Sequence, residues 1–130
     1  MRILIVEDDF TSRRLLQAYL SPFGQCDIAV HGKEAVKAFK QAWLEKSPYD
    51  LICLDIMMPE MDGQDALKQI RAFEKERGII GNDEVKVIMT TALDAPRDVF
   101  EAYYRGGCTS YLVKPIDRKA LIREMKALCS

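Results

Sequence analysis

The sequence predicts an α/β domain built on a doubly wound, five-stranded parallel sheet. Short apolar runs alternate with amphipathic stretches along the 130 residues, so that a helix follows each strand five times. Most of the strand candidates are continuously apolar, which is typical of parallel strands covered on both faces. Because crossovers between parallel strands are right-handed, the expected strand order is 2-1-3-4-5.

The first two strand–helix units fall in the first third of the chain. Ile3–Val6 predicts a buried strand, and Thr11–Leu20 predicts a helix that ends before Pro22. Asp27–Val30 predicts the second strand. It leads into a helix over Lys33–Lys46, where apolar residues recur at helical spacing.

The third unit contains the clearest turn signals. Leu51–Leu54 predicts a strand, and Pro59 and Gly63 mark the loop that follows it. A helix is expected from about Gln64 to Lys75. The glycine-containing stretch Arg77–Glu84 is then expected to be a loop.

The last two units complete the sheet. Val85–Thr90 predicts the fourth strand, followed by a fourth helix from about Pro96 to Gly106, because proline favours helix starts and glycine favours helix stops. Tyr111–Val113 predicts the fifth strand. Asp117 is a suitable cap for the fifth helix.

Composition limits the class of protein. The 19 basic and 20 acidic residues give a net charge of -1, so no general attraction to nucleic acid or to a membrane surface is expected. The first apolar run is too short for a signal peptide or a membrane span. We therefore expect one cytoplasmic domain over residues 1–130, with no output domain and with reduced cysteines.

Polar residues collect at one edge of the predicted sheet. In doubly wound sheets, ligands bind beyond the carboxyl ends of the strands, where the strand order reverses. Four of the five strands end there in carboxylate, hydroxyl or ammonium groups. These are Glu7, Asp8 and Asp9 after the first strand, Asp55 after the third, Thr90 and Thr91 after the fourth, and Lys114 after the fifth.

This set of residues indicates phosphoryl-transfer chemistry with Mg²⁺. Clustered carboxylates repel each other, and a cation is the usual compensation. Oxygen ligands favour a hard ion, Mg²⁺ before a transition metal. A metal ion and a lysine can then offset charge on a phosphoryl group while a carboxylate acts as the nucleophile.

Four segments resemble the motifs of the response-regulator receiver family of two-component signalling, including its single-domain chemotaxis members. They are ILIVEDD, CLDIMMPEMDG, MTTA and YLVKP, and they occur in the family's order over essentially the whole chain. The resemblance implies a flavodoxin-like fold with five helices. It also implies a phosphorylation switch rather than an enzyme, with only self-catalysed phosphoryl transfer and slow autodephosphorylation.

The resemblance assigns the acceptor and the metal ligands. Asp55 would be phosphorylated. Asp8 would bind Mg²⁺ directly, with Glu7 beside it, often through water. The carbonyl of Met57 and the Asp55 carboxylate would complete the protein's share of the coordination.

The resemblance also assigns the switch residues. Thr91 would donate its hydroxyl to a phosphoryl oxygen, and Lys114 would pair with Asp55 or its phosphate. Tyr111 would be the aromatic residue that moves with Thr91. The bond between Lys114 and Pro115 is a candidate cis peptide.

Two assignments stay open at this stage. Asp9 competes with Glu7, because side chains on a strand alternate faces and the three consecutive acids cannot all reach one ion while the strand continues. Thr90 competes with Thr91, although the following Ala92 favours Thr91.

The resemblance also implies the partners. A sensor histidine kinase or a histidine phosphotransfer protein would supply the phosphoryl group. The fourth helix, fifth strand and fifth helix would then change their binding to a downstream protein. Phe100, Tyr103 and Tyr104 are too many aromatic residues for one short helix to bury, which favours a partner or homodimer surface.

Two rival functions remain. A Mg²⁺-dependent phosphohydrolase with an aspartyl nucleophile would need a second acid two residues after Asp55, where Met57 stands. A docking module that works without phosphorylation is the other. Met57 and Leu93 hold positions that modulate phosphate hydrolysis in the family. Both are apolar, so neither would orient an attacking water, and we expect a fairly long-lived phosphorylated state.

Overall fold

A five-stranded parallel sheet forms the centre of the protein, in the predicted order. The computed structural model describes residues 1–58, 61–92 and 110–129. Neighbouring strands are all parallel, and the order is 2-1-3-4-5. The strands are β1 (Arg2–Val6), β2 (Gln25–Ala29), β3 (Leu51–Asp55), β4 (Lys86–Thr91) and β5 (Ser110–Val113).

Four α-helices cover the sheet in the part of the chain that is described. They are α1 (Phe10–Leu20), α2 (Gly32–Leu44), α3 (Gly63–Glu76) and α4 (Arg118–Cys129). The predicted helix from Pro96 to Gly106 lies outside the described residues, as do Leu93, Phe100, Tyr103 and Tyr104, so α4 corresponds to the fifth predicted helix. None of these four helices is both long enough and apolar enough to cross a membrane.

Each helix begins where a side chain caps its free backbone amides. The cap supplies an acceptor for an N–H group that has no partner inside the helix. Asp9, His31, Asp62 and Asp117 accept from the backbone amides of Ser12, Glu34, Asp65 and Ala120 at 2.8, 3.2, 2.9 and 3.0 Å.

The alternation of side chains along the strands divides the core into two layers. Ile5, Cys53 and Ile88 lie side by side on one face, where they pack with residues of α1 and α4. Val6 and Leu54 lie on the other face, in the core cluster that includes residues of α2 and α3. The same alternation decides on which face a residue at the end of a strand lies.

The loop between β3 and α3 brings that helix against the end of β3. The Gly63 amide donates to the Ile56 carbonyl at 2.9 Å. A Cβ atom on Gly63 would lie 2.1 Å from the Asp55 carbonyl oxygen. Only glycine therefore permits this close approach, which fixes the backbone of Asp55 against the first turn of α3.

A buried carboxylate fixes the start of β4. The Glu74 side chain, only 1% exposed, accepts from the Val85 amide at 2.8 Å and pairs with Arg71 at 2.7 Å. The predicted loop after α3 contains a short 3-10 turn over Gly81–Asp83. The Glu74 carboxylate thus holds the entry to β4 in place across this loop.

Replacing Gly63 with alanine tests the close approach at Asp55. The added methyl group must push the end of β3 away from α3, and overpacking of this kind typically destabilises by about 1–3 kcal/mol. We expect Gly63→Ala to lower the free energy of unfolding by that amount in a urea titration. Lys68→Ala, on an exposed position of the same helix, is the control and should change it little. Equal stability of Gly63→Ala and the wild type would contradict the close approach.

Candidate functional site

Three carboxylates converge where β1 and β3 end. Val6 and Leu54 are register partners in the sheet, so Glu7 and Asp55 leave it side by side. One carboxylate oxygen from each of Glu7, Asp8 and Asp55 lies within 4.8 Å of the others. Glu7 and Asp55 are buried, at 0% and 3% exposure, whereas Asp8 is exposed. The cluster is therefore shielded from solvent at Glu7 and Asp55 and open to solvent at Asp8.

Lys114 directly follows the edge strand β5, and its side chain contacts both buried carboxylates. Its Nζ atom lies 2.5 Å from Glu7 Oε1 and 3.2 Å from Asp55 Oδ2. The Lys114 amide also donates to the Thr91 carbonyl at 2.7 Å, which fixes the residue just after β5. One ammonium group thus offsets two neighbouring negative charges.

Burial and neighbouring charges shift the pKa values of Glu7 and Lys114. Loss of solvation raises the pKa of Glu7, and the adjacent Asp55 raises it further, against the lowering effect of Lys114. Burial lowers the pKa of Lys114, but the hydrogen bond to Glu7 and the charges of both acids outweigh it, so that the net shift is upward. The ammonium form is therefore held firmly, while ionised Glu7 is disfavoured.

Asp9 has a different function from Glu7 and Asp8. Its carboxylate caps α1, and its amide donates to Glu7 Oε2 at 3.3 Å. The hydrogen bonds to Ser12 lower the pKa of Asp9. The structure thus brings Glu7 and Asp8, but not Asp9, to Asp55. The spacing from Asp9 to Ser12 at a helix start was the signal in the sequence for this cap.

The loop after β3 positions Asp55 from the other side. The Met57 amide donates to Asp55 Oδ1 at 3.2 Å, while Oδ2 receives the Lys114 ammonium. The apolar Met57 side chain is 59% exposed. Both oxygens of Asp55 are therefore oriented before any ligand binds.

The two threonines at the end of β4 lie in different environments. Thr90 is the register partner of Asp55, and Thr91 is the register partner of Val113. Both threonines are fully buried, and the Thr90 hydroxyl has no hydrogen-bond partner among the described residues. Tyr111, which is 38% exposed, lies on β5. The orphaned Thr90 hydroxyl was not foreseen from the sequence.

The donor set fits a hard divalent cation. Glu7, Asp8 and Asp55 offer only oxygen, within a space that one ion can bridge. Mg²⁺ is usually bound by one or two carboxylates and keeps several waters, and the exposed side of this cluster leaves room for them. Chemically, the site can hold a cation, orient a carboxylate nucleophile and offset the charge of an incoming phosphoryl group.

A cavity of about 800 Å³ lies at the opposite ends of the strands. Residues on its wall include Trp43, Tyr49, Asp50 and Lys86. It contains none of the three clustered carboxylates and no Lys114. The carboxylate cluster and the Lys114 ammonium therefore lie at the carboxyl ends of the strands, away from this cavity.

Comparison with known proteins gives one consistent family. The sequence matches the model of the response regulator receiver domain over residues 3–126. It is 34% identical to the chemotaxis protein CheY of Treponema pallidum, over 98% of this chain and 81% of that protein. It is 31% identical to the histidine kinase CKI1 of Arabidopsis thaliana, over 97% of this chain but only 12% of that protein. The chain thus spans a small part of some of its relatives.

Solved structures agree with this family. The chain superposes with a TM-score of 0.86 on the receiver domain of Saccharomyces cerevisiae Ssk1, solved with the histidine phosphotransfer protein Ypd1, at 31% identity over 99% of this chain and 88% of that one. It superposes with a TM-score of 0.79 on the CKI1 receiver domain complexed with Mg²⁺ and BeF3⁻, at 30% identity over 97% of this chain and 89% of that one.

The carboxylate cluster predicts that Mg²⁺ stabilises the folded protein. A cation that binds only the folded state at roughly a hundred times its Kd adds about 2.7 kcal/mol to the free energy of unfolding. We expect Asp8→Asn to remove most of this gain and the exposed Asp83→Asn to retain it. The measurement is a urea titration with Mg²⁺ and with a chelator. A wild-type protein that Mg²⁺ leaves unchanged would refute the cation site.

The raised pKa of Glu7 predicts how this stabilisation depends on pH. Mg²⁺ needs the ionised carboxylate, so its affinity should decline as pH falls through the pKa of Glu7, beginning above the ordinary value of 4.5. Without the cation, the free energy of unfolding depends on pH in the opposite sense. Ionised Glu7 destabilises the folded protein, and this destabilisation disappears as pH falls. Glu7→Gln should bind Mg²⁺ more weakly and with a flatter pH dependence over the same range.

Proposed function

The chain belongs to the response regulator receiver domain family of two-component signalling, and on this premise we propose that it is a switch phosphorylated on Asp55. The observation that carries the proposal is the arrangement around this carboxylate. Asp55 lies within 4.8 Å of Glu7 and Asp8 and 3.2 Å from the Lys114 ammonium. A nucleophile, a cation site and a fixed positive charge thus stand together.

The chemical step is a transfer from a phosphohistidine to the carboxylate. A carboxylate oxygen of Asp55 attacks phosphorus while the phosphorus–nitrogen bond breaks, and the imidazole leaves with the electron pair. Glu7, Asp8 and Asp55, with the carbonyl of Met57, would hold Mg²⁺, which would offset the charge on the phosphoryl oxygens. Lys114 holds a second positive charge beside the reacting carboxylate.

The phosphoryl group would then gain contacts that the free carboxylate lacks. We assign to Thr91 the donation of a hydroxyl hydrogen bond to a phosphoryl oxygen, and to Tyr111 a movement that accompanies it. Thr91 and Tyr111 lie on adjacent strands, and Thr91 already accepts from Lys114 through its carbonyl. Contacts made only with the phosphorylated state shift a two-state equilibrium toward it.

The proposed phosphodonor is a histidine kinase or a histidine phosphotransfer protein. The similar Ssk1 receiver domain was solved with the phosphotransfer protein Ypd1, which supports this partner class. The proposed output surface is the predicted fourth helix, β5 and α4. Of these, β5 exposes Tyr111 and Val113 at 38% and 42%. Binding of a downstream protein or of a second copy there would change on phosphorylation.

Phosphorylation of Asp55 is testable by intact mass. With Mg²⁺ and acetyl phosphate, the wild type should gain the mass of one phosphoryl group. Asp55→Asn should gain none, because an amide is not a nucleophile here, and chelation of Mg²⁺ should abolish the gain. Asp83→Asn, an exposed acid far along the chain, is the matched control and should react like the wild type.

Two results would contradict this proposal. An equal mass gain in Asp55→Asn would move the acceptor to another residue. Steady release of phosphate from a small ester, without any lasting modified protein, would instead favour the phosphohydrolase. The apolar Met57, where such an enzyme would have its second acid, argues against that outcome.

The lifetime of the phosphorylated state gives a further prediction. The side chain two residues after Asp55 is the thioether of Met57, which cannot orient a water for attack on phosphorus. We expect the phosphoryl group to persist for minutes or longer after the donor is removed, measured by mass at timed intervals. Met57→Gln, which supplies a polar group, should shorten the lifetime. Loss within seconds from the wild type would refute the expectation.

A further inference from the structure

Thr90 belongs to a row of side chains that crosses the sheet at the acidic cluster. Register pairs Asp55 with Thr90 and Thr90 with Leu112, across β3, β4 and β5. Register partners in a parallel sheet share a face. Cys53 and Ile88, two residues earlier on each strand, pack in the same core cluster. Thr90 therefore lies on the face of Asp55, one strand closer to β5.

The Thr90 hydroxyl is an exception to the packing around it. It is fully buried, and among the described residues it has no hydrogen-bond partner. A buried polar group without a partner typically destabilises by about 1–3 kcal/mol. A valine would fill the same space without this cost. The hydroxyl therefore does not stabilise this form of the protein, and its function is to be sought in another state of the site.

Lys114 reaches its partners along the same row. It directly follows β5, the edge strand that pairs with the strand of Thr90. Its ammonium nevertheless contacts Glu7 on β1 and Asp55 on β3. The side chain must therefore extend across β4, the strand that carries Thr90. Thr90 is thus placed along the path between Lys114 and Asp55.

Binding of a cation changes what Lys114 can contact. Glu7 is both the shortest partner of the ammonium, at 2.5 Å, and one of the three clustered carboxylates. If Glu7 engaged a divalent cation, Lys114 would lose that partner and keep only Asp55. The Lys114 side chain is 21% exposed, and its ammonium would then have spare N–H groups for another acceptor.

We propose that Thr90 is a positioning residue, whose hydroxyl accepts a hydrogen bond from Lys114 when Glu7 is engaged by a divalent cation. The inference rests on the proposed function, because it concerns the metal-bound and phosphorylated states of the same site. Thr90 then holds the ammonium over Asp55, where the phosphoryl charge develops. The neighbouring Thr91 has a different assignment, the hydrogen bond to a phosphoryl oxygen.

The test separates the two states of the site with two variants. Thr90→Val removes the hydroxyl and keeps the shape, whereas Thr90→Ser keeps the hydroxyl and removes a methyl group. Denaturation midpoints of both variants and the wild type are measured with a chelator, with Mg²⁺, and with Mg²⁺ plus beryllofluoride. The shifts between conditions give the apparent affinity of each protein for the ligands.

The expected result is a change that depends on the state. With a chelator, Thr90→Val should have the same midpoint as the wild type or a higher one. With Mg²⁺ and beryllofluoride, its apparent affinity should be about tenfold weaker, the loss expected for one hydrogen bond to a charged group. Thr90→Ser should show the wild-type affinity even if its midpoints are lower in every condition.

Other results overturn the inference. A lower midpoint for Thr90→Val with the chelator would mean that the hydroxyl already has a partner. Equal ligand affinity of Thr90→Val and the wild type would mean that it gains none. A wild type that neither Mg²⁺ nor beryllofluoride stabilises would overturn both the proposed function and this inference. Failure of Thr90 alone therefore leaves the proposed function standing.

Discussion

The structure of the site depends on one ammonium group placed between two buried carboxylates. Glu7 and Asp55 leave adjacent strands side by side, and burial removes most of the water that would screen their repulsion. Lys114 lies within hydrogen-bond distance of both, at 2.5 and 3.2 Å. Without a positive charge at this point, one of the two acids would have to take up a proton or move.

The parallel sheet makes this contact possible between residues that are far apart in the chain. Lys114 and Glu7 are separated by 107 positions, yet the carboxyl ends of β1, β3 and β5 share one edge. Local features then fix the geometry. Gly63 lets α3 approach the Asp55 backbone, and Asp9 caps α1 directly after the acidic residues. The fold thus supplies the placement, and short-range contacts supply the orientation.

The sequence predicts the edge of the sheet but not the order of contacts within it. Strand order and the position of Asp55 and Lys114 at this edge follow from the apolar runs and the residues that end them, whereas the choice of Glu7 and Asp8 followed from the resemblance to the family. The cap function of Asp9 depends on where β1 ends and α1 begins, which the apolar runs alone do not fix. A shift of one residue at a strand end exchanges the two faces. The unpartnered Thr90 hydroxyl is equally invisible, since it follows from the packing of three strands.

The ion pair also explains how a small chemical change can alter the protein. Lys114 pairs with both Glu7 and Asp55. A ligand that engages one of these two acids therefore alters the contact between Lys114 and the other acid. A cation would compete for Glu7, and the proposed phosphoryl group on Asp55 would add negative charge beside the ammonium. Both changes would draw Lys114 toward Asp55. Because Lys114 directly follows β5 and its amide is bonded to Thr91, a shift of its side chain acts at the edge of the sheet. A charge added at Asp55 is therefore coupled to β5 through one side chain, without any change of fold.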